Sequence, residues 1–251
     1  MIQGPNNLIT NSLRRISLKQ VPQLKHGDSL QRLIGIDDTN PQPQQVTLWS
    51  ILSLKAWQEL NEKGVLRCRK HHVWGDHLKD WSQQYDWIRS ELQQRIGPSN
   101  VANTYPIWAW YQRYSAEKAM PDLRHSEYRS IDTPSVRVEI SVKNTRVLLS
   151  DFILWNFALN NWQIPKSTAD SENWEKLLEK IGHANKHKSG DLPEKFKRAL
   201  KKSWRRIFQE IILPDHLPDT KSHLDKSIQA CLWEIRIEDV RRFTVFATQK
   251  N

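Results

Sequence analysis

The stretch SVRVEISVKNTRVLLSDFILWNFALNNW, residues 135–162, decides the fold. In SVRVEISV (135–142), Val136, Val138, Ile140 and Val142 alternate with polar residues, and a period of two predicts a half-buried strand. VLLSDFILWNFALNNW (147–162) is apolar nearly throughout and predicts a helix, or a strand passing into one, with Ser150 or Asp151 as N-cap and Pro165 as terminator. Working outward, VTLWSIL (46–52) is a short β-rich run, and SLKAWQELNEKG (53–64) reads as a helix between a Ser53 N-cap and a Gly64 stop. Residues 76–96 predict a second helix, with Leu78, Trp81, Tyr85, Ile88 and Leu92 on one stripe. YPIWAWYQ (105–112) reads as a buried strand, residues 171–181 and 194–212 as helices, and SIQACLWEIRI (227–237) and RRFTVFA (241–247) as the last strands. This order predicts an α+β fold with a mixed or antiparallel sheet flanked by helices, not a doubly wound one. Residues 46–251 are expected to form a single domain carrying a basic helical insertion at about 183–212. Residues 1–45 read as an N-terminal extension, either a mobile arm or a tail docked through Leu30, Leu33, Ile34 and Ile36.

The chain has 251 residues, with 38 Lys+Arg against 28 Asp+Glu, a formal charge of +10. At 38% hydrophobic and 26% charged residues it has the composition of a globular protein, not of a disordered one. No apolar run approaches the ~18 residues of a transmembrane helix, and the first residues lack the apolar core of a secretory signal. The two cysteines, Cys68 and Cys231, exclude a disulfide framework and are expected to be reduced thiols of a cytoplasmic protein. A net positive charge favours an acidic partner, nucleic acid first. That charge is concentrated. From His183 to Arg206 nine Lys/Arg face only Asp191 and Glu194. On a helical wheel Phe196, Leu200, Trp204, Ile207, Phe208 and Ile211 share a face and the cations fill the other half. Lys195, Arg198, Lys201, Lys202, Arg205 and Arg206 are therefore candidate contacts to the phosphate backbone of DNA or RNA. A merely solvated face and a membrane-surface helix are the competing readings.

Nucleotide-binding glycine loops of the GxGxxG and GxxxxGK[ST] types are absent, as are GxSxG and HExxH. Cys68, His71, His72 and His77 cluster but lack the second cysteine usual at a zinc site, so loop histidines are expected and no metal. Trp49, Trp108 and Trp110 fall in strands, and Trp108 and Trp110 share a strand face. They are candidates for a wall on which a base or nicotinamide stacks, with core filling the alternative. Arg124, in PDLR, pairs either with Asp122 or with a phosphate. Asp151 either caps a helix or faces a pocket, and Gln229 needs a hydrogen-bond partner if buried.

The strings TLWSI, YDWIRSELQQRIG, YPIWAWYQ, PDLR, VLLSDFILWNFALNNW and SIQACLWEI resemble a bacterial family of uncharacterised domains across about residues 46–247. The cadence of TLWSI followed by AWQELNEKGVL, and of SIQACLWEIRIEDVRRFTVF at the end, is more distantly similar to ADP-ribosyltransferases of the DNA-targeting toxin branch. That similarity implies a protein that binds NAD or a related nucleotide and acts on, or binds, nucleic acid, as a toxin with an antitoxin partner or in bacterial phage defence. It implies Ser50 at the polar position of the first strand, Trp108 or Trp110 where an aromatic ring stacks on nicotinamide, and Gln229 in the place of the catalytic glutamate. Beside them, Trp49 and Arg124 are candidate cofactor contacts and Asp151 a candidate catalytic residue. The chain departs from that pattern at Ser50, where His or Arg is usual, and at Gln229, where Glu is usual. An amide hydrogen-bonds a ribose hydroxyl but is no general base. Glu234, an odd number of residues on, is expected on the opposite sheet face. Two further readings stand beside the enzyme. One is a non-catalytic nucleic-acid-binding module, and the other is an aromatic surface that holds a partner protein.

Overall fold

The structure is a computed structural model, which describes residues 22–36, 44–69, 81–129, 134–183, 192–213 and 222–247. In chain order the elements are β1 (Gln45–Ser53), α1 (Leu54–Lys63), β2 (Val65–Arg69), α2 (Ser82–Ile96), β3 (Thr104–Tyr105), β4 (Ile107–Gln112) and α3 (Ser126–Arg129). They continue as β5 (Ser135–Lys143), β6 (Leu148–Asp151), α4 (Phe152–Leu159), α5 (Thr168–Lys180), α6 (Glu194–Trp204), β7 (Ile228–Leu232), β8 (Glu234–Arg236) and β9 (Val240–Phe246). Among the described residues one sheet has six strands in the order β6-β7-β4-β1-β5-β9, and a second has three in the order β3-β2-β8. Every pairing is antiparallel. The α+β class and the antiparallel form of the sheet are as the sequence predicts.

Local signals set several boundaries. Ser53 accepts from the Ala56 N–H, and Gly64 closes α1 at φ 69°, a left-handed conformation that costs glycine least. Asp151 accepts from the Leu154 N–H and starts α4 directly from β6, so the 147–162 stretch is a strand passing into a helix. Two predicted strands are each divided between sheets. Pro106, which has no N–H for a ladder, separates β3 from β4. Trp233 separates β7 from β8, its indole N–H donating to the Gly97 carbonyl at 2.9 Å. The helix predicted over 194–212 stops at Trp204, tightens into a 3-10 turn over Arg205–Phe208, and then runs extended.

Each face of the large sheet carries a core. On one face, Leu48 of β1, Val136, Val138 and Ile140 of β5, and Ile228 and Ala230 of β7 pack against Leu60 of α1 and Leu66 and Ile235 of the small sheet. Leu30, Leu33 and Ile34 join them from a 3-10 turn, so the described part of the N-terminal segment is docked. On the other face, Leu148 and Cys231 meet Ile88 and Leu92 of α2, Leu154 and Trp155 of α4, and Leu200 and Trp204 of α6. The segment predicted as a basic insertion thus supplies a wall of the second core. Each fully buried large apolar side chain contributes roughly 1.5–3 kcal/mol.

Candidate functional site

Antiparallel pairing brings one residue from each strand into a row across the large sheet: Ser150, Gln229, Trp110, Trp49, Glu139 and Arg242. Directly opposed residues point to the same face, so these six side chains share one surface. Trp110 lies edge-on to Phe152 at 5.1 Å, and the Arg113 guanidinium stands 4.6 Å from its ring centroid. Arg113 is itself held by Glu127 and by Ser227, whose hydroxyl accepts at 3.1 Å. The Trp49 indole N–H donates to Glu139 at 3.4 Å. Trp108, two residues before Trp110 and on the same face, packs on Trp155 at 5.1 Å and on Tyr85 at 6.5 Å. Gln229 Nε2, Ser150 Oγ and Trp108 Nε1 are buried on this face with no protein hydrogen-bond partner among the described residues. A buried polar atom without a partner is costly, and three of them lie together on this face.

Three expected site residues lie elsewhere. Ser50 alternates with Trp49 and faces the first core, 1% exposed, where its hydroxyl donates to the Trp108 carbonyl at 2.9 Å. The parity of the strand therefore keeps Ser50 and Trp49 on opposite faces. Asp151 takes the capping role. Its other carboxylate oxygen lies 3.2 Å from Lys226 Nζ, with both residues almost fully buried. Arg124 reaches Asp122 at 2.7 Å in an exposed loop, with its side chain 84% exposed, and it holds the Asp122 carboxyl well below the usual carboxylate range. Trp49, Trp108, Trp110 and Gln229 come together; Ser50, Asp151 and Arg124 do not join them.

The buried ionic groups around Asp151 carry no motif in the sequence. Lys226 Nζ also donates to the Ile211 carbonyl. Glu210 accepts from the His223 N–H at 2.9 Å, and the Gln112 amide donates to the carbonyls of His223 and Lys226 at 2.6 Å. Nothing local in the chain announces these partners, because Gln112, Asp151, the 210–211 segment and the 223–226 segment are mostly far apart along the chain.

The basic segment divides in two. Lys195, Arg198, Lys201 and Lys202 are exposed along α6 and have no carboxylate partner among the described residues. Arg205 and Arg206 are engaged instead. Arg205 pairs with the buried Glu91 at 2.8 Å, and Arg206 reaches Asp170 at 3.3 Å and the Ile164 carbonyl. These two arginines, expected among the nucleic-acid contacts, tie the 3-10 turn that follows α6 to α2 and α5. The ridge is anchored from beneath by Trp204, 1% exposed, whose indole N–H donates to the Trp162 carbonyl at 3.0 Å.

Burial pushes the Cys68 thiol up to about 11 and raises that of Cys231 well above its ordinary value, so neither is poised as a nucleophile. His71, His72 and His77 lie outside the described residues, which include no group of three or more metal-ligating side chains. No helix among the described residues is long and apolar enough to cross a membrane. No curated protein and no solved structure matches the chain. A family model described as a domain of unknown function, DUF3841, matches residues 47–241, from the first strand of the large sheet into the last, and the chain belongs to that family of uncharacterised domains.

Proposed function

We propose that this chain binds nucleic acid through the cationic side of α6. The observation that carries the reading is the set Lys195, Arg198, Lys201 and Lys202, exposed on one helix side and without carboxylate partners among the described residues, while the opposite side is fastened in the core. A helix so anchored presents its charges at fixed spacing, and phosphate contacts made by Lys and Arg release condensed counterions. Four such contacts predict log–log salt slopes of about −3 to −4. Reversing the four residues to Glu is expected to weaken binding of labelled DNA or RNA by at least ~100-fold and to flatten the slope, as read by fluorescence anisotropy across a salt series. Unchanged affinity in the reversed variant would refute the proposal.

A second reading is an ADP-ribosyltransferase-like site that holds NAD. It is favoured by Gln229 Nε2 and Ser150 Oγ, which are buried beside Trp110 without protein partners among the described residues. Gln229 supports ribose binding better than base catalysis. Calorimetry with NAD is expected to give a heat that Gln229→Ala abolishes. No heat, and no nicotinamide release with or without nucleic acid, retires this reading.

A further inference from the structure

A basin of about 340 Å³ opens where the start of β1 and the end of β5 meet the turn between β8 and β9. Its volume is at the lower end of small-ligand pockets, which run from ~300 to 1,000 Å³. None of its lining residues belongs to α6 or to the row around Gln229. Its lining carries four cations, Lys143, Arg146, Arg236 and Arg241, against two carboxylates. Those carboxylates are already engaged. Asp239 receives a two-pronged contact from Arg146, at 2.9 and 3.0 Å, and also accepts from the Arg236 N–H. Glu238 lies 3.4 Å from Arg236, which is held more closely, at 2.7 Å, by Glu234. These pairs fix the basin wall and neutralise two of its cations.

Lys143 and Arg241 are left without a carboxylate partner among the described residues. Lys143 stands opposite Gln45 at the end of the β1–β5 ladder, and Ser141, on the same strand face, donates its hydroxyl to Gln45 at 3.3 Å. Arg241 sits at the one irregularity of the β5–β9 ladder. Glu139 pairs with Arg242, but the next residue, Ile140, pairs with Val240, so Arg241 is the extra residue of a bulge. A bulge breaks the strict alternation of side chains and re-aims the extra one. Here Arg241 lines the basin that Lys143 also lines.

We propose that this basin is an anion site for a phosphate ester, gripped by Lys143 and Arg241 over a wall set by the Arg146–Asp239 pair. Paired guanidinium and ammonium groups with hydroxyl and amide neighbours suit phosphate oxygens, which accept charge-assisted hydrogen bonds. The ester is either a small soluble nucleotide or a phosphate of a nucleic-acid backbone, and the test separates the two.

The full chain and Lys143→Gln/Arg241→Gln would be titrated with inorganic pyrophosphate, with adenosine monophosphate and with a single-stranded oligonucleotide. Both side chains are exposed and outside the ion pairs, so the variant is expected to keep the parent circular dichroism and melting temperature. Pyrophosphate affinity is expected to fall about tenfold or more in the variant. If oligonucleotide affinity is unchanged while adenosine monophosphate is lost, the ligand is a soluble ester. If oligonucleotide affinity falls too, it is the backbone. No pyrophosphate binding by the parent chain, or equal binding by the variant, overturns the proposal. The α6 charge-reversed chain, titrated in parallel, keeps pyrophosphate binding if the basin is the site, so the ridge and the basin stand or fall separately.

Discussion

Asp151 serves two partners at once. One carboxylate oxygen accepts from the Leu154 N–H at 3.0 Å, and the other faces Lys226 Nζ at 3.2 Å, away from water. Removing one partner of such a pair strands a buried charge and costs roughly 3–5 kcal/mol, whereas removing both costs less than the two losses together. Asp151→Ala and Lys226→Met are each expected to lower stability by about that amount. The double variant is expected to recover about 1–3 kcal/mol of the summed loss, as read from urea unfolding. Additive losses, or single losses below ~1 kcal/mol, would show that the pair does not hold the start of α4. Gln229 is the opposite case, a buried amide whose Nε2 finds no protein partner among the described residues. The sequence marked both residues as polar interruptions of apolar runs. Only the fold distinguishes the satisfied group from the unsatisfied one, because Lys226 and Ser150 arrive from other strands and loops.

Elements with local rules were legible. β5 reads directly from its alternation, and α1 from Ser53 and Gly64, because caps and parity depend on residues within a turn or two. α6 was legible as an amphipathic helix, with Leu200 and Trp204 buried beneath exposed cations. The cations of α6 and of the 3-10 turn after it could not be divided from the sequence. Arg205 is held by Glu91 of α2 and Arg206 by Asp170 of α5, and those acids lie far away along the chain. The ridge that predicts salt-dependent nucleic-acid binding is therefore shorter than the run of positive charge. The same limit applies to β9. Its composition reads as a strand, but the bulge at Arg241 exists only in register with β5.

At the scale of the molecule, two cores enclose the central sheet and carry ionisable groups whose burial favours the protonated form. The Cys68 thiol is pushed up to about 11 and the Tyr85 hydroxyl to about 12, with Cys231 and Tyr128 raised as well, in each case first by desolvation. Unfolding returns these groups to their ordinary values near 9 and 10. The folded chain then binds more protons than the unfolded one at alkaline pH. Stability from this source is complete below pH ~9 and is lost as pH rises toward ~12. The melting temperature is expected to fall over that window, by roughly 2–4 °C for each kcal/mol lost. A flat or rising melting temperature between pH ~9 and ~11 would contradict the linkage.

The amino-acid sequence by itself determined the α+β class, the strands with clean alternation, the capped helices and the concentration of charge near α6, because each follows from neighbours a few residues apart. Tertiary structure alone decided which cations are bound to acids, which face of the sheet Ser50 and Trp49 occupy relative to Gln229, and where Lys143 and Arg241 meet. Those outcomes depend on strand register and on partners distant along the chain, and that register is set by how both faces of one sheet are packed at once.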